Sequence, residues 1–315
     1  MRVLLAGATG AIGRPLLPLL VAAGHEVFAT TRRDELAPSL EAAGASAEVV
    51  DLLEDGAAAG LVRRVEPEVV IDQLTSLPHD FDPRKAKDAY AANDRVRRVG
   101  SGALIAAAEA AGVKRYVLQS VAFMYRPGGM ADRSEDDAVW SDAPAPFDAS
   151  VEVLLANEKS VTGSAAMTGV VLRYGFLYGP GTWYETGGST CESIAKRQYP
   201  VIGGGEGRNS LVHVADAARA TLAAVDRGQG IFNIVDDEPA PIRELVPHIA
   251  QLLGAKPPRK VPGWVARMVV GSYLVAASTS MPGASNAKAE RDLGWQPMIP
   301  NWREGLKTYR DTSPD

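Results

Sequence analysis

The stretch "VLLAGATGAIGRPLL", residues 3–17, sets three glycines at fixed spacing between a short apolar run and a longer one. It reads as a strand, a tight loop and the first turn of a helix. Gly7, Gly10 and Gly13 stand where glycine permits the turn, lets the backbone approach a pyrophosphate, and aims the helix N-terminus at its charge. The spacing is G-x-x-G-x-x-G, and Thr9, Ala11 and Ile12 complete the candidate phosphate loop. The apolar start could pass for a signal peptide, but Arg14 and two prolines inside it fit the loop and helix better.

Downstream, apolar runs alternate with Ala- and Leu-rich helical ones. Strand candidates are Arg2 to Ala6, Glu26 to Thr30, Ala47 to Val50, Glu68 to Asp72, Arg115 to Gln119 and Gly169 to Tyr174. Such alternation predicts an α/β chain with a parallel sheet covered on both faces and right-handed crossovers. The clearest helix is expected from Asp94 to Ala111, stopping at Gly112, with two more at Val214 to Val225 and Pro241 to Leu253. Beyond Leu177 the pattern loosens into glycine- and proline-rich loops, which implies a smaller, less regular substrate domain. The expected division is 1–176 plus about 211–235 for the dinucleotide-binding domain, and 177–210 plus about 236–315 for the other.

With 315 residues and 46% hydrophobic content the chain can bury a large core. A net charge of -5, from 33 basic and 38 acidic residues, offers no extended positive field, so nucleic acid is not an expected partner. Cys191 is the only cysteine, which excludes an intrachain disulfide and suits a reducing cytoplasm; a buried, inert thiol is its expected state. Trp264 to Ala277 is the most apolar span, yet Arg267 interrupts it and it is shorter than the ~20 residues that cross a membrane. A cytoplasmic protein without a membrane partner is expected, and no metal ligands are assigned.

The second strand ends "FATTRR", where a site for unphosphorylated nicotinamide cofactor commonly offers an acid to the ribose hydroxyls. Here Arg32 stands nineteen residues after Gly13, with Arg33 beside it. Arginine can clamp a 2'-phosphate through charge-assisted hydrogen bonds, so NADP(H) is expected over NAD(H).

The chain resembles the extended short-chain dehydrogenase/reductase superfamily, in its epimerase/dehydratase-like branch. The resemblance rests on GATGAIG at 7–13, GHEVFATTR at 24–32, VVDL at 49–52, QLTS at 73–76, AAEAAGVKRYVLQS at 107–120, VVLRYGFLYGPGT at 170–182, LVHVADAARA at 211–220, IFNIVDDEP at 231–239 and ERDLGWQP at 290–297. It implies a Rossmann doubly wound sheet followed by a smaller substrate domain, with Asp51 and Leu52 at the adenine and Leu74, Thr75 and Ser76 along the ribose and pyrophosphate. Gln119 and Ser120 would end the fifth strand near the nicotinamide, with Arg173 to Phe176 passing beneath its amide. His213 and Asp216 read as structural. The resemblance also makes a homodimer through packed helices an open expectation.

One part of that pattern fails. Such enzymes pair a tyrosine, which handles the carbonyl proton, with a lysine four residues on that lowers its pKa. Aligning Glu158 with the acid that follows that lysine puts Ser150 in the tyrosine's place and Leu154 in the lysine's. None of the nine tyrosines has a lysine four residues later, so register is not the cause. Val121 stands where the orienting hydroxyl would be, and Lys159 has no tyrosine partner. Substitutes for the acid are Tyr125, Tyr174 and Ser120; Trp183 and Tyr184 are candidate pocket walls for a flat or aromatic substrate. The chain therefore reads as an atypical NADP(H)-dependent oxidoreductase acting on a small carbonyl or activated alkene. A non-catalytic redox sensor, or an isomerase or dehydratase, remains open beside it.

Overall fold

Val3 and Leu5 join one apolar cluster while Leu4 and Ala6, the alternate residues of the same strand, join another. That two-residue alternation means that both faces of the strand are covered, which is why its sequence is apolar throughout. The computed structural model describes residues 1–78, 80 and 85–307. The strands of the main sheet are β1 (Arg2–Ala6), β2 (Glu26–Thr31), β3 (Ser46–Val49), β4 (Val69–Asp72), β5 (Arg115–Val121), β6 (Thr168–Tyr174) and Gly230–Ile234. Their order is Gly230–Ile234, β6, β5, β4, β1, β2, β3, and every adjacent pair is parallel.

Helices α1 (Gly13–Ala22), α2 (Ala37–Ala42), α3 (Ala57–Val65), α4 (Ala86–Arg95), α5 (Gly102–Ala110) and α6 (Asp148–Thr162) lie along the first half of the chain. They are followed by α7 (Ser189–Ala195), α8 (Val214–Ala223), α9 (Ile242–Leu252) and α10 (Gly263–Ser280). Leu16, Leu17 and Leu20 of α1 pack with Ala217 and Ala218 of α8 on one face of the sheet. Leu61 and Val62 of α3 pack with Leu104 and Ile105 of α5 on the other. Chain direction across the sheet reverses between β1 and β4, so the crevice beyond their carboxyl ends is the natural ligand site.

Five strand candidates end within two residues of the expected positions, and β1 matches fully. Gly230–Ile234 lies outside the six candidates: its "GIFNI" carries Asn233, which is buried because its side chain is hydrogen-bonded on both sides. The helix expected from Asp94 starts at Ala86 and runs through a π-helical stretch, Val96–Ser101, into α5. That wider stretch still buries Val96, Arg97, Gly100 and Ser101.

The later part of the chain forms three two-stranded ladders, Phe176–Tyr178 with Leu211–His213, Arg208–Asn209 with Ala240–Pro241, and Val201–Ile202 with Lys260–Val261. Tyr178, Tyr184, Cys191, Leu245 and Trp302 share a core there. Burial pushes the Cys191 thiol up to about 12, which leaves it inert as expected. His213 caps α8 by accepting from the Ala215 amide, and the Asp216 carboxylate accepts the amides of Met298 and Ile299, both at 3.0 Å. The apolar span Trp264 to Ala277 lies within α10, which bends at Gly271 (φ 80°). No described helix is long and apolar enough to cross a membrane.

One buried polar chain ties these parts together. Arg173 on β6 donates from Nε to Glu158 Oε1 at 2.9 Å and from a terminal nitrogen to Oε2 at 2.6 Å. Ser120 on β5 donates to the same carboxylate at 2.6 Å. Arg173 also donates to the Tyr125 hydroxyl at 3.0 Å, and Tyr125 donates to Asn233 Oδ1 at 2.7 Å. Removing one partner strands a buried charge, which costs about 3–5 kcal/mol. Glu158→Ala is therefore expected to lower unfolding free energy by about that amount in a urea titration, whereas Lys159→Ala, at an exposed position, is expected to change it by less than about 0.5 kcal/mol.

Candidate functional site

The glycine loop joins β1 to α1 at the carboxyl edge of the sheet. Gly7 adopts φ 83°, and a Cβ built there would stand 2.4 Å from the Gln73 carbonyl oxygen. A Cβ on Gly13 would stand 2.3 Å from the Gly7 carbonyl oxygen, so both positions exclude any side chain. The Gly10 amide bonds the Gly7 carbonyl at 3.1 Å, and Arg14 Nε bonds the Thr9 carbonyl at 2.9 Å, which closes the loop on itself. Ile12 belongs to the core, while Gly7, Thr9, Gly10 and Ala11 are partly open. No acid stands in the first turn of α1, and its N-terminus can receive an anion.

The neighbouring strand ends bring the other expected cofactor residues to the same edge. Beyond β2, the Thr31 hydroxyl exchanges hydrogen bonds with the Arg33 backbone, and Arg32 and Arg33 are exposed. Among the described residues neither arginine is in an ion pair. Beyond β3, Asp51 accepts the Leu53 amide at 3.0 Å, and Leu52 is buried beside Gly100 together with Leu74. Beyond β4, the Ser76 amide donates to Asn93 Oδ1 at 2.9 Å, and Thr75 is half-buried. Gln73 is buried; its Nε2 donates to the Tyr174 hydroxyl at 3.1 Å, and its Oε1 has no hydrogen-bond partner among the described residues. A close-packed glycine cradle, a helix N-terminus, two exposed arginines and this carbonyl oxygen are a donor and acceptor set that fits a dinucleotide. Part of the β4–α4 connection, residues 79 and 81–84, lies outside the described residues.

The three substitute acids occupy different surroundings. Tyr125 is fully buried, with its hydroxyl held between Arg173 and Asn233, and burial raises its pKa above the ordinary phenol value. Tyr174 is 2% exposed, bonded to Gln73 and, at 2.7 Å, to the Thr221 hydroxyl, and burial raises its pKa as well. The Ser120 hydroxyl is spent on Glu158. The structure thus gathers all three near the carboxyl ends of β5 and β6 but places none of their oxygens on an open surface. Gln119 is half-buried at the same strand end.

Ser150, Leu154 and Glu158 form one buried stripe of α6. Leu154 packs with Val121, Met124 and Val151, so the lysine position and the orienting-hydroxyl position are both apolar. Ser150 donates to Asp94 Oδ2 at 2.8 Å. Asp94 is 7% exposed and Arg97, three residues on, is 8% exposed; the sequence places both on a helix and marks neither as a site residue. Beside them stands an aromatic group. Phe147 lies 4.6 Å from Tyr273 and 6.1 Å from both Tyr90 and Phe123, and Phe123 stacks on Phe176 at 4.3 Å, between ring centroids. Of the two expected pocket walls, Tyr184 is buried in the smaller core, and Trp183 is half-buried and donates to the Pro78 carbonyl at 3.0 Å.

Comparison with known proteins identifies the family and the fold. The family described as NAD dependent epimerase/dehydratase matches residues 3–234. A 3-diazoavenalumate denitrifying reductase from a Streptomyces species is 41% identical over 309 residues, covering 97% of this chain and 99% of that protein. A 2-alkyl-3-oxoalkanoate reductase of Stenotrophomonas maltophilia is 23% identical and covers 99% of each chain. Among solved structures, Thermus thermophilus UDP-glucose 4-epimerase in complex with NAD superposes with a TM-score of 0.73 at 24% identity, covering 99% of this chain and 98% of that one. A human epimerase family protein with NADPH gives 0.72 at 21%, covering 99% and 100%. These two share the fold. Built on a Rossmann sheet with a nicotinamide-cofactor site and related to named reductases, the chain belongs to the NAD dependent epimerase/dehydratase family.

Proposed function

We propose that this protein is an NADP(H)-dependent reductase whose substrate is an aromatic compound already electrophilic at the reacting carbon, with arene diazo compounds as the best-fitting class. The observation that carries the reading is the replacement of the usual acid pair. At the tyrosine position the Ser150 hydroxyl is bound to Asp94, and at the lysine position Leu154 is part of an apolar core. Reducing a carbonyl consumes a hydride and a proton, and a serine hydroxyl titrates far too high to donate one near neutrality.

An arene diazonium removes that requirement. A nicotinamide cofactor held by the glycine loop would supply a hydride equivalent, and replacement of N2 by hydride at the ring carbon balances: the carbon–hydrogen bond takes the hydride pair and the carbon–nitrogen pair leaves with N2. Hydride and cation balance, and no protein acid is needed. The 41% identical relative is named as a reductase of a diazo aromatic, which supports the same class here. Tyr125, Tyr174 and Ser120 then hold the scaffold, since each oxygen is already engaged. Gly7, Thr9, Gly10, Ala11, Ile12 and Gly13 would hold the pyrophosphate, Arg32 and Arg33 the 2'-phosphate, and Asp51 and Leu52 the adenine. Leu74, Thr75, Ser76 and Gln119 would follow the ribose and nicotinamide side. The half-buried rings of Tyr90, Phe123 and Phe176 exclude water from the reacting carbon.

Anaerobic turnover of an arene diazonium without a ring hydroxyl, with cofactor deuterated at the transferred position, tests the reaction. Deuterium is expected on the ring carbon that carried nitrogen, with none entering from D2O when unlabelled cofactor is used. Turnover of ketones with diazo arenes untouched would replace this reading by carbonyl reduction, and tight cofactor binding without any turnover would favour a redox sensor. For the cofactor, Arg32→Glu removes a charge-assisted contact worth about 1.5–3 kcal/mol. NADPH affinity is expected to fall roughly tenfold to hundredfold by calorimetry while NADH affinity holds. An unchanged preference would sink the arginine argument.

A further inference from the structure

Two buried acids share one buried cation beneath the aromatic group. Asp72 is 1% exposed, Asp94 7% and Arg97 8%, and Arg97, in the π-helical stretch, acts electrostatically on both carboxylates. Asp72 is fully committed: its oxygens accept from the Leu74 amide at 3.0 Å and the Tyr116 hydroxyl at 2.8 Å. Asp94 is not. Its Oδ2 takes the Ser150 hydroxyl, while its buried Oδ1 has no hydrogen-bond partner among the described residues.

Other charges nearby do not close the balance. Arg98 and Asp148 also act on Asp94, but both are exposed, opposite in sign and screened, and Arg98 lies 3.7 Å from Glu152. Glu158 and Arg173 neutralise each other. With both aspartates ionised the buried group carries one uncompensated negative charge, an expensive state that a proton or an incoming cation relieves. Without a ligand the proton route is open, since burial holds both carboxyls above the ordinary range.

The surroundings favour a flat cation. Tyr90 precedes Asp94 by one turn of α4, Phe147 precedes Ser150 by about one turn at the start of α6, and these two rings meet edge to face at 6.1 Å. Phe123 and Phe176 are half-buried, so each keeps part of its surface open beside this pair. Ring faces are electronegative and attract cations, while their area buries a planar ligand. We propose that Asp94 and the Tyr90, Phe123, Phe147 and Phe176 rings form a substrate subsite for a planar aromatic cation, with Asp94 as the counter-charge that selects it over a neutral ring. This rests on the reductase reading above only for the identity of the cation, a diazonium. The same chemistry is offered by the pyridinium of an oxidised cofactor, which the test separates.

The full-length protein saturated with NADPH is titrated by calorimetry with N-methylquinolinium and with quinoline, at a pH where quinoline is neutral. The cation is expected to bind about tenfold more tightly. Asp94→Asn, which can keep the Ser150 hydrogen bond, is expected to abolish that preference with quinoline affinity within about twofold. Ser150→Ala, which keeps the charge, is expected to retain the preference, and Phe123→Leu to weaken both probes. Equal binding by the wild type, or an undiminished preference in folded Asp94→Asn, overturns the proposal. So does a change in the NADP+ to NADPH affinity ratio in Asp94→Asn with the quinolinium preference intact, which would assign the charge to the cofactor ring. A preserved quinolinium preference without diazonium turnover leaves the subsite standing and removes the reductase reading instead.

Discussion

The bidentate contact between Glu158 on α6 and Arg173 on β6 is the interaction on which the site's geometry depends, because both groups are removed from water and each fixes further neighbours. Ser120 is drawn onto Glu158 from β5, Tyr125 onto Arg173, and Asn233 onto Tyr125 from the outermost strand of the sheet. Asn233 in turn donates to the carbonyls of Arg133 and Ser285, which belong to connections leading to the less regular part of the chain. A low-dielectric polar chain of this kind tolerates no missing member, since each loss leaves a desolvated donor, acceptor or charge. Its satisfaction also engages the hydroxyls of Ser120 and Tyr125.

What remains at the nicotinamide side is a different kind of chemistry. The family's acid and base positions are filled by Ser150 and Leu154, and Ser150 is bonded to Asp94, which shares the buried Arg97 with Asp72. Leu154, Val121 and Val151 make an apolar wall there, so the family's proton-handling positions are lined by groups that cannot donate a proton near neutrality.

The glycine loop and the strand ends around it were readable because their signals are local. Gly7 and Gly13 are adjacent in sequence to the turn that requires them, and Arg32 ends the strand that places it. The absence of a tyrosine and lysine four residues apart is equally local. Asp94 and Arg97 were hidden for the opposite reason. Charged residues three apart on a helix usually face water; Asp94, near the end of α4, and Arg97, in the π-helical stretch Val96–Ser101, are turned inward because both segments pack against α6. The strand Gly230–Ile234 was similarly masked, because Asn233 is polar by composition and buried by pairing.

Sequence alone therefore determined the parallel doubly wound sheet, the glycine loop at its switch point, the exposed arginines after β2, and the loss of the standard acid pair. Periodicity, glycine sterics and spacing act over a few residues, and the chain carries them openly. Tertiary structure decided the fate of every hydroxyl and charge around the missing pair: Tyr125 and Tyr174 are locked into buried hydrogen bonds, while Asp94 keeps an unpaired oxygen. Those outcomes depend on residues 47 to 108 positions apart meeting in a space from which water is excluded, and no local pattern encodes that meeting.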